Sequence, residues 1–153
     1  MAQFTVRDRS SGRVRAGRPE VWRALTDPEL IPRLTPNLRR IDVDGDRWTW
    51  HLTHIPVLGA VVAPCFTERM VFDEPARITF RHDDSRREER AGVEGAYRLE
   101  ERPDGTDVSI DLAITVDLPF PRPTGPAVRA AMQGVVAVMG RRFAGNLARH
   151  LEH

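Results

Sequence analysis

The sequence predicts an α+β fold of order β-α-α-β6-α: an antiparallel sheet of about seven strands and a long C-terminal helix. Three observations carry this expectation. Across residues 38–116 the hydrophobic period is two, interrupted by the tight-turn pairs Asp44-Gly45 and Asp104-Gly105. Ahead of that region stand one alternating segment and a short helical stretch punctuated by prolines. Behind it, residues 127–150 contain no proline and place Val128, Met132, Val135, Met139 and Phe143 at helical spacing.

Each element has its own signature. In residues 4–16, Phe4, Val6, Val14 and Ala16 share one parity and Arg7, Arg9, Arg13 and Arg15 the other, which predicts a strand with an apolar and an arginine face. Pro19 and Glu20 suit the first turn of a helix that puts Val21, Trp22 and Leu25 on one side. Asp27 is placed to cap a second helix starting at Pro28, which Pro32 keeps short. Six strands follow, at about 38–43, 46–55, 60–72, 77–83, 91–102 and 106–116, with further turns at residues 73–76 and 83–90. A proline-rich linker, 117–126, leads to the last helix, which would be roughly 36 Å long.

The totals narrow the function. A chain of 153 residues is expected to form one domain, here 1–150, able to bury roughly 70% of its unfolded surface. Residues 151–153, Leu-Glu-His, read as the start of an expression tag. With 23 basic and 22 acidic residues there is no general drive toward DNA, RNA or an anionic membrane. All basic residues are arginine, so Schiff-base and pyridoxal chemistry, which need a lysine amine, are excluded. A single cysteine, Cys65, allows no internal disulfide. No apolar signal core opens the chain and no apolar run approaches a membrane span, so the expectation is a cytoplasmic protein. There is no phosphate-binding glycine loop, no dinucleotide fingerprint and no nucleophile elbow, and no cofactor is expected.

The segments RPEVWRALTDPELIPRL (18–34) and FTERMVFDEPARITFR (66–81), with the final helix, resemble the START-like (SRPBCC) superfamily, which has the helix-grip fold. Its members include the birch-pollen-allergen type and the polyketide cyclases and dehydrases. The resemblance spans essentially the whole chain. It implies a curved sheet wrapped round the C-terminal helix, with an apolar pocket between the two. It carries no catalytic motif over to this sequence, so catalytic residues are unknown.

The stretch WTWHLTH, residues 48–54, is the densest in aromatic and imidazole groups. On a strand, residues three apart face opposite ways, so His51 and His54 cannot share a metal ion, and no metal site is expected. Trp48, Trp50, Leu52 and His54 share one face instead. The same parity places Glu68 with Phe66, Met70 and Phe72, His82 with Ile78 and Phe80, and Tyr97 with Val93 and Leu99. The last strand adds Val108, Ile110, Leu112, Ile114 and Val116, while Asp8 and Ser10 turn inward on the first. A one-residue bulge would exchange Glu68 for Arg69. The expected ligand-contacting set is therefore Trp48, Trp50, Leu52, His54, Phe66, Glu68, Met70, Phe80, His82, Tyr97 and Leu112, faced by Met132, Val135 and Met139 of the helix. A few oriented polar groups in an apolar concavity are typical of small-molecule pockets.

Turn parity groups the connections at 56–59, 83–90 and 117–125 at one end of the sheet, where Val57, Leu58, Leu118 and Phe120 are expected to mark a mouth. The arginine row is expected to pair with Asp107, Asp111 and Asp117, residues 84–90 to form a solvated loop, and Cys65 to lack a partner. Glycines 134, 140 and 145 would thin the last helix toward a ligand or let it pack closely on the sheet. The leading functional expectation is a carrier or sensor for a small hydrophobic or aromatic ligand. A polyketide aromatase/cyclase-type enzyme is the alternative, and a protein- or RNA-interaction module the third. The sequence leaves open whether the chain forms a homodimer.

Overall fold

Thirteen residues of alternating burial, Ala2–Val14, form β1 in a computed structural model that describes residues 2–86 and 88–152. Two helices follow. In α1 (Arg18–Leu25), Pro19 lies in the first turn, and Val21, Trp22, Ala24 and Leu25 are buried. Ahead of α2 (Leu30–Leu34), the Asp27 carboxylate accepts the N–H groups of Glu29 (2.9 Å) and Leu30 (3.2 Å), so the expected cap is made one turn before the regular helix.

The seven-stranded antiparallel sheet has the order β1-β9-β8-β7-β6-β3-β2. Its strands are β2 (Leu38–Asp44), β3 (Arg47–Leu52), β6 (Cys65–Asp73), β7 (Arg77–His82), β8 (Ala91–Arg102) and β9 (Gly105–Leu118), together with β1. Gly45 adopts φ +62°, as the tight hairpin between β2 and β3 requires. The first strand returns to pair along its whole length with the last, from Ala2↔Leu118 to Val14↔Thr106. The expected outward charge pairs form across that seam, with Arg13 2.8 Å from Asp107 and Arg9 3.3 Å from Asp111. Asp117 stands opposite Gln3.

Two strands expected to be continuous are broken. Residues 46–55 end as a strand at Leu52, and 60–72 begins its main-sheet pairing at Cys65. Pro64 has no N–H to donate, and its carbonyl takes the Leu52 N–H, while Thr53 N–H turns to Asn37 O. The intervening residues form a separate hairpin, β4 (Ile55–Val57) with β5 (Ala60–Val62). Its turn carries Leu58 at φ +48° and Gly59 at φ +83°.

The C-terminal helix α3 spans Gly125–Leu151 and so passes the boundary expected at residue 150. Leu151 packs on the core, and Glu152 accepts the Arg15 N–H at 3.1 Å. Backbone contacts bring α3 close to β1, α1, α2 and β4, and Asn146 Nδ2 donates to Leu34 O at 2.8 Å. Gly134 and Gly140 are exposed, with open space where a Cβ would stand, so neither faces a ligand nor packs on the sheet.

Residues 84–90 are not simply solvated. Thr67, fully buried on the outer side of β6, donates its N–H and its hydroxyl to the Glu89 carboxylate, both at 2.7 Å. Asp83 is buried against Arg47 at 3.1 Å, with Arg69 and Arg86 at 3.9 Å. Hydrogen bonds from Ser85 and these guanidinium groups hold its carboxyl below the usual carboxylate range. Arg87, within this run, lies outside the described residues.

Candidate functional site

Burial along β9 defines the site. On its inward parity the ends, Thr106 and Leu118, are buried, but Val108, Ile110, Leu112, Ile114 and Val116 between them are only half-buried. Because β9 lies between β1 and β8, their exposure is not that of an edge strand. The helix repeats the pattern. Val128, Met132 and Leu147 are buried, whereas Val135, Val136, Met139 and Phe143 are half-buried. Apolar burial is thus complete at both ends of strand and helix and incomplete between them, over about 12 Å of helix from 135 to 143. Two hydrophobic clusters, one around Trp48 and Leu147 and one around Phe4 and Met132, meet through Leu52, Ile114 and Val116.

The polar groups gather toward one side of this compartment. Glu68 stands directly opposite Trp48 on β3 and His82 on β7. It is 2% exposed while Arg69 is exposed, so no bulge has shifted the strand. Burial pushes the Glu68 carboxyl well above its ordinary range; the Trp50 side chain beside it is the one group favouring the ionised form. Tyr97 is raised too, first by burial and then by the charge of Glu68, which places phenol and carboxyl within electrostatic reach. Trp50 Nε1 and His82 Nδ1 are both buried with no hydrogen-bond partner among the described residues. The His82 ring is seated on Gly92, where a Cβ would stand 2.9 Å from its Cγ and Nδ1.

The WTWHLTH stretch thus supplies wall. Trp50 stacks on Phe66 (6.0 Å, 12°) and meets Trp48 (6.5 Å), which in turn meets Phe72 (5.8 Å). Its second histidine is placed differently from the expectation. With β3 ending at Leu52, His54 lies exposed in the connection to β4, away from the inner face. On the outer face His51 bridges Asp42 (Nε2, 2.9 Å) and Cys65 (Nδ1, 3.6 Å), so Cys65 does have a partner. Burial, then nearby carboxylates led by Glu89, push that thiol up, which keeps it protonated and unreactive.

Of the expected residues, Trp48, Phe66, Met70, Phe80 and Met132 are closed core. Trp50, Leu52, Tyr97, Leu112, Val135 and Met139 are the half-buried surface, with Glu68 and His82 inward among them. Asp8 is half-buried and Ser10 exposed. Phe143 was missing from the expected set, although its spacing of four from Met139 is the signal that finds it. Among the described residues no group of three potential ligands could hold a metal ion.

Two of the three connections grouped by turn parity meet. Glu88 and Glu89 of the one and Asp117 and Pro119 of the other line a cleft of about 630 Å³ with Ala60 and Val62 of β5, whereas no residue of 56–59 lines it. The expected apolar mouth is different in detail, because Val57 and Leu118 are buried and Phe120 packs against the cluster around Phe4 and Met132. Only Leu58 is left exposed.

A family described as polyketide cyclase/dehydrase and lipid transport matches residues 8–152. The chain belongs to this family. Among solved structures it is similar to a START superfamily protein from Mycobacterium smegmatis (16% identity, 95% of this chain and 97% of that one, TM-score 0.69). It is also similar to the Zhui aromatase/cyclase of Streptomyces sp. R1128 (15%, 97% and 94%, TM-score 0.70). A third likeness is to the di-domain aromatase/cyclase StfQ of the steffimycin biosynthetic pathway, of which it covers half (12%, 97% and 51%, TM-score 0.71). At these identities the likeness shows the helix-grip fold. No curated protein matches the sequence. No helix among the described residues is long and apolar enough to cross a membrane.

Proposed function

We propose that the chain binds a small hydrophobic or aromatic molecule between β9 and α3, as a carrier or sensor. The observation that carries this reading is the run of five half-buried aliphatic side chains on an interior strand, facing an equally half-buried stretch of helix. Apolar surface of that kind gains roughly 25 cal/mol per Å² when a ligand removes it from water. Family membership supports the reading, since the family's description joins cyclase and lipid-transport members. The cleft beside β5 and the 83–90 connection is the proposed way in. The test is titration with a neutral fluorescent aromatic, 1-aminoanthracene. Its emission should rise on binding, and Leu112→Trp, which fills the compartment, should abolish the rise while the protein stays folded. Equal binding by that variant would refute the site.

A cyclase-type enzyme is the second reading, favoured by one observation. A carboxyl held neutral by burial, beside a histidine and a phenol, is equipped to pass protons to and from a folded poly-ketone. Under this reading Glu68→Gln removes turnover of such a chain, and full turnover by the variant excludes Glu68 from the chemistry.

A further inference from the structure

We propose that the compartment selects an uncharged ligand whose buried end carries a hydrogen-bond-accepting oxygen, a ketone or quinone carbonyl, and rejects the carboxylate of the same skeleton. This rests on the binding reading above and concerns the polar side of the same cavity.

The argument is an inventory of what faces inward. Trp50 Nε1–H is a buried donor that lies close enough to the Glu68 carboxyl to influence it yet closes no full hydrogen bond among the described residues, and such a group is costly unless something completes it. Burial favours the protonated form of the Glu68 carboxyl beside it, the form that offers an O–H rather than a negative charge. Two donors converging from adjacent strands, β3 and β6, suit one carbonyl oxygen. His82 Nδ1, on the next strand, is likewise buried and unpartnered, and Gly92 fixes its ring.

Among the described residues no strand arginine faces inward to hold an anion. The strand arginines, among them Arg7, Arg9, Arg47, Arg69 and Arg81, lie on the opposite parity. The groups facing Glu68 are Trp48 and Trp50 from β3, His82 from β7 and Tyr97 from β8. The inward residues of β9 are all aliphatic between its ends, and the facing stretch of α3 gives Val135, Met139 and Phe143. Asp8 on β1 is the remaining inward carboxylate. A ligand carboxylate would leave water without a counter-ion and would face two acids, which is strongly unfavourable. Ionising Glu68 at higher pH removes one of the two donors.

The experiment displaces 1-aminoanthracene with three naphthalenes of matched size, 2-acetylnaphthalene, 2-ethylnaphthalene and 2-naphthoate, at pH 6 and pH 9. The ketone should bind about tenfold tighter than the hydrocarbon and at least about a hundredfold tighter than the carboxylate at pH 6. Its advantage over the hydrocarbon should shrink at pH 9; in Trp50→Phe it should already be reduced at pH 6 and vanish at pH 9, while the hydrocarbon binds as before. Glu68→Gln, whose amide still donates, should keep the advantage at both pH values. Naphthoate binding within about threefold of the ketone overturns the inference but leaves the cavity standing. So does a ketone advantage that is undiminished in Trp50→Phe. Failure of all three compounds and of the probe to bind overturns both inference and cavity.

Discussion

Replacing Glu68 by glutamine should make the protein more stable at neutral and alkaline pH, and the gain should grow with pH. The side chain is 2% exposed, and burial raises its carboxyl pKa well above the ordinary value. In the unfolded chain a glutamate titrates near about 4.3. Between that value and the raised folded one, the native state holds a proton that the unfolded state has released. Stability therefore falls as pH rises through this window, by up to about 1.4 kcal/mol per pH unit, and levels off above the folded pKa. Glutamine has nearly the same shape and does not titrate, so its curve lacks this loss. Asp83 and Asp107, whose carboxyls are depressed, act on the acid side in both proteins and cancel in the difference. Cys65, which is raised by burial and by other carboxylates, cancels in the same way, and Tyr97, raised in part by Glu68 itself, starts from a phenol value of about 10, above the range tested. The assay is urea unfolding of both proteins from pH 4 to pH 9, with midpoints and slopes fitted at each pH. For a chain of this size about 1 kcal/mol also moves Tm by roughly 2–4 °C, so thermal scans give an independent check. Parallel stability curves, or a wild type that gains on the variant as pH rises, would refute the idea of a neutral buried carboxyl.

Three other outcomes follow from single contacts. Gly92→Ala places a methyl 2.9 Å from the His82 ring and should displace it, costing about 1–3 kcal/mol and moving the His82 ring signals in NMR spectra. Thr67→Val removes the buried hydroxyl that donates to Glu89 and should cost about 2 kcal/mol, with faster amide exchange confined to residues 83–90. Leu58→Asn relieves a leucine held at φ +48° and 54% exposed, and should stabilise by up to about 1 kcal/mol in the same urea assay.

Much of this architecture was legible because period and turn chemistry agree. Asp44-Gly45 and Asp104-Gly105 mark real hairpins, and one parity rule puts Trp48, Glu68 and Phe80 inside and Arg69 outside. Where the rule failed, a backbone hydrogen bond had been redirected. Pro64 cannot donate, the Leu52 N–H finds its carbonyl, and the strand expected to reach residue 55 ends early, which takes His54 out of the site. Charge runs misled for a similar reason. Residues 83–90 look soluble, yet Asp83 and Glu89 are tied to arginines and to a threonine that are distant in sequence. Parity also could not separate closed core from open wall. Met70 and Leu112 obey the same alternation, yet the first is buried and the second half-buried.

The most direct test of the central claim is a set of intermolecular NOEs between 1-aminoanthracene and protein carrying labelled Ile, Leu, Val and Met methyls. The compartment predicts contacts to Ile110, Leu112, Ile114 and Met139, and none to the exposed Val71 on the outside of the sheet. Contacts confined to Val71, or to the exposed Leu58 hairpin tip, would contradict it.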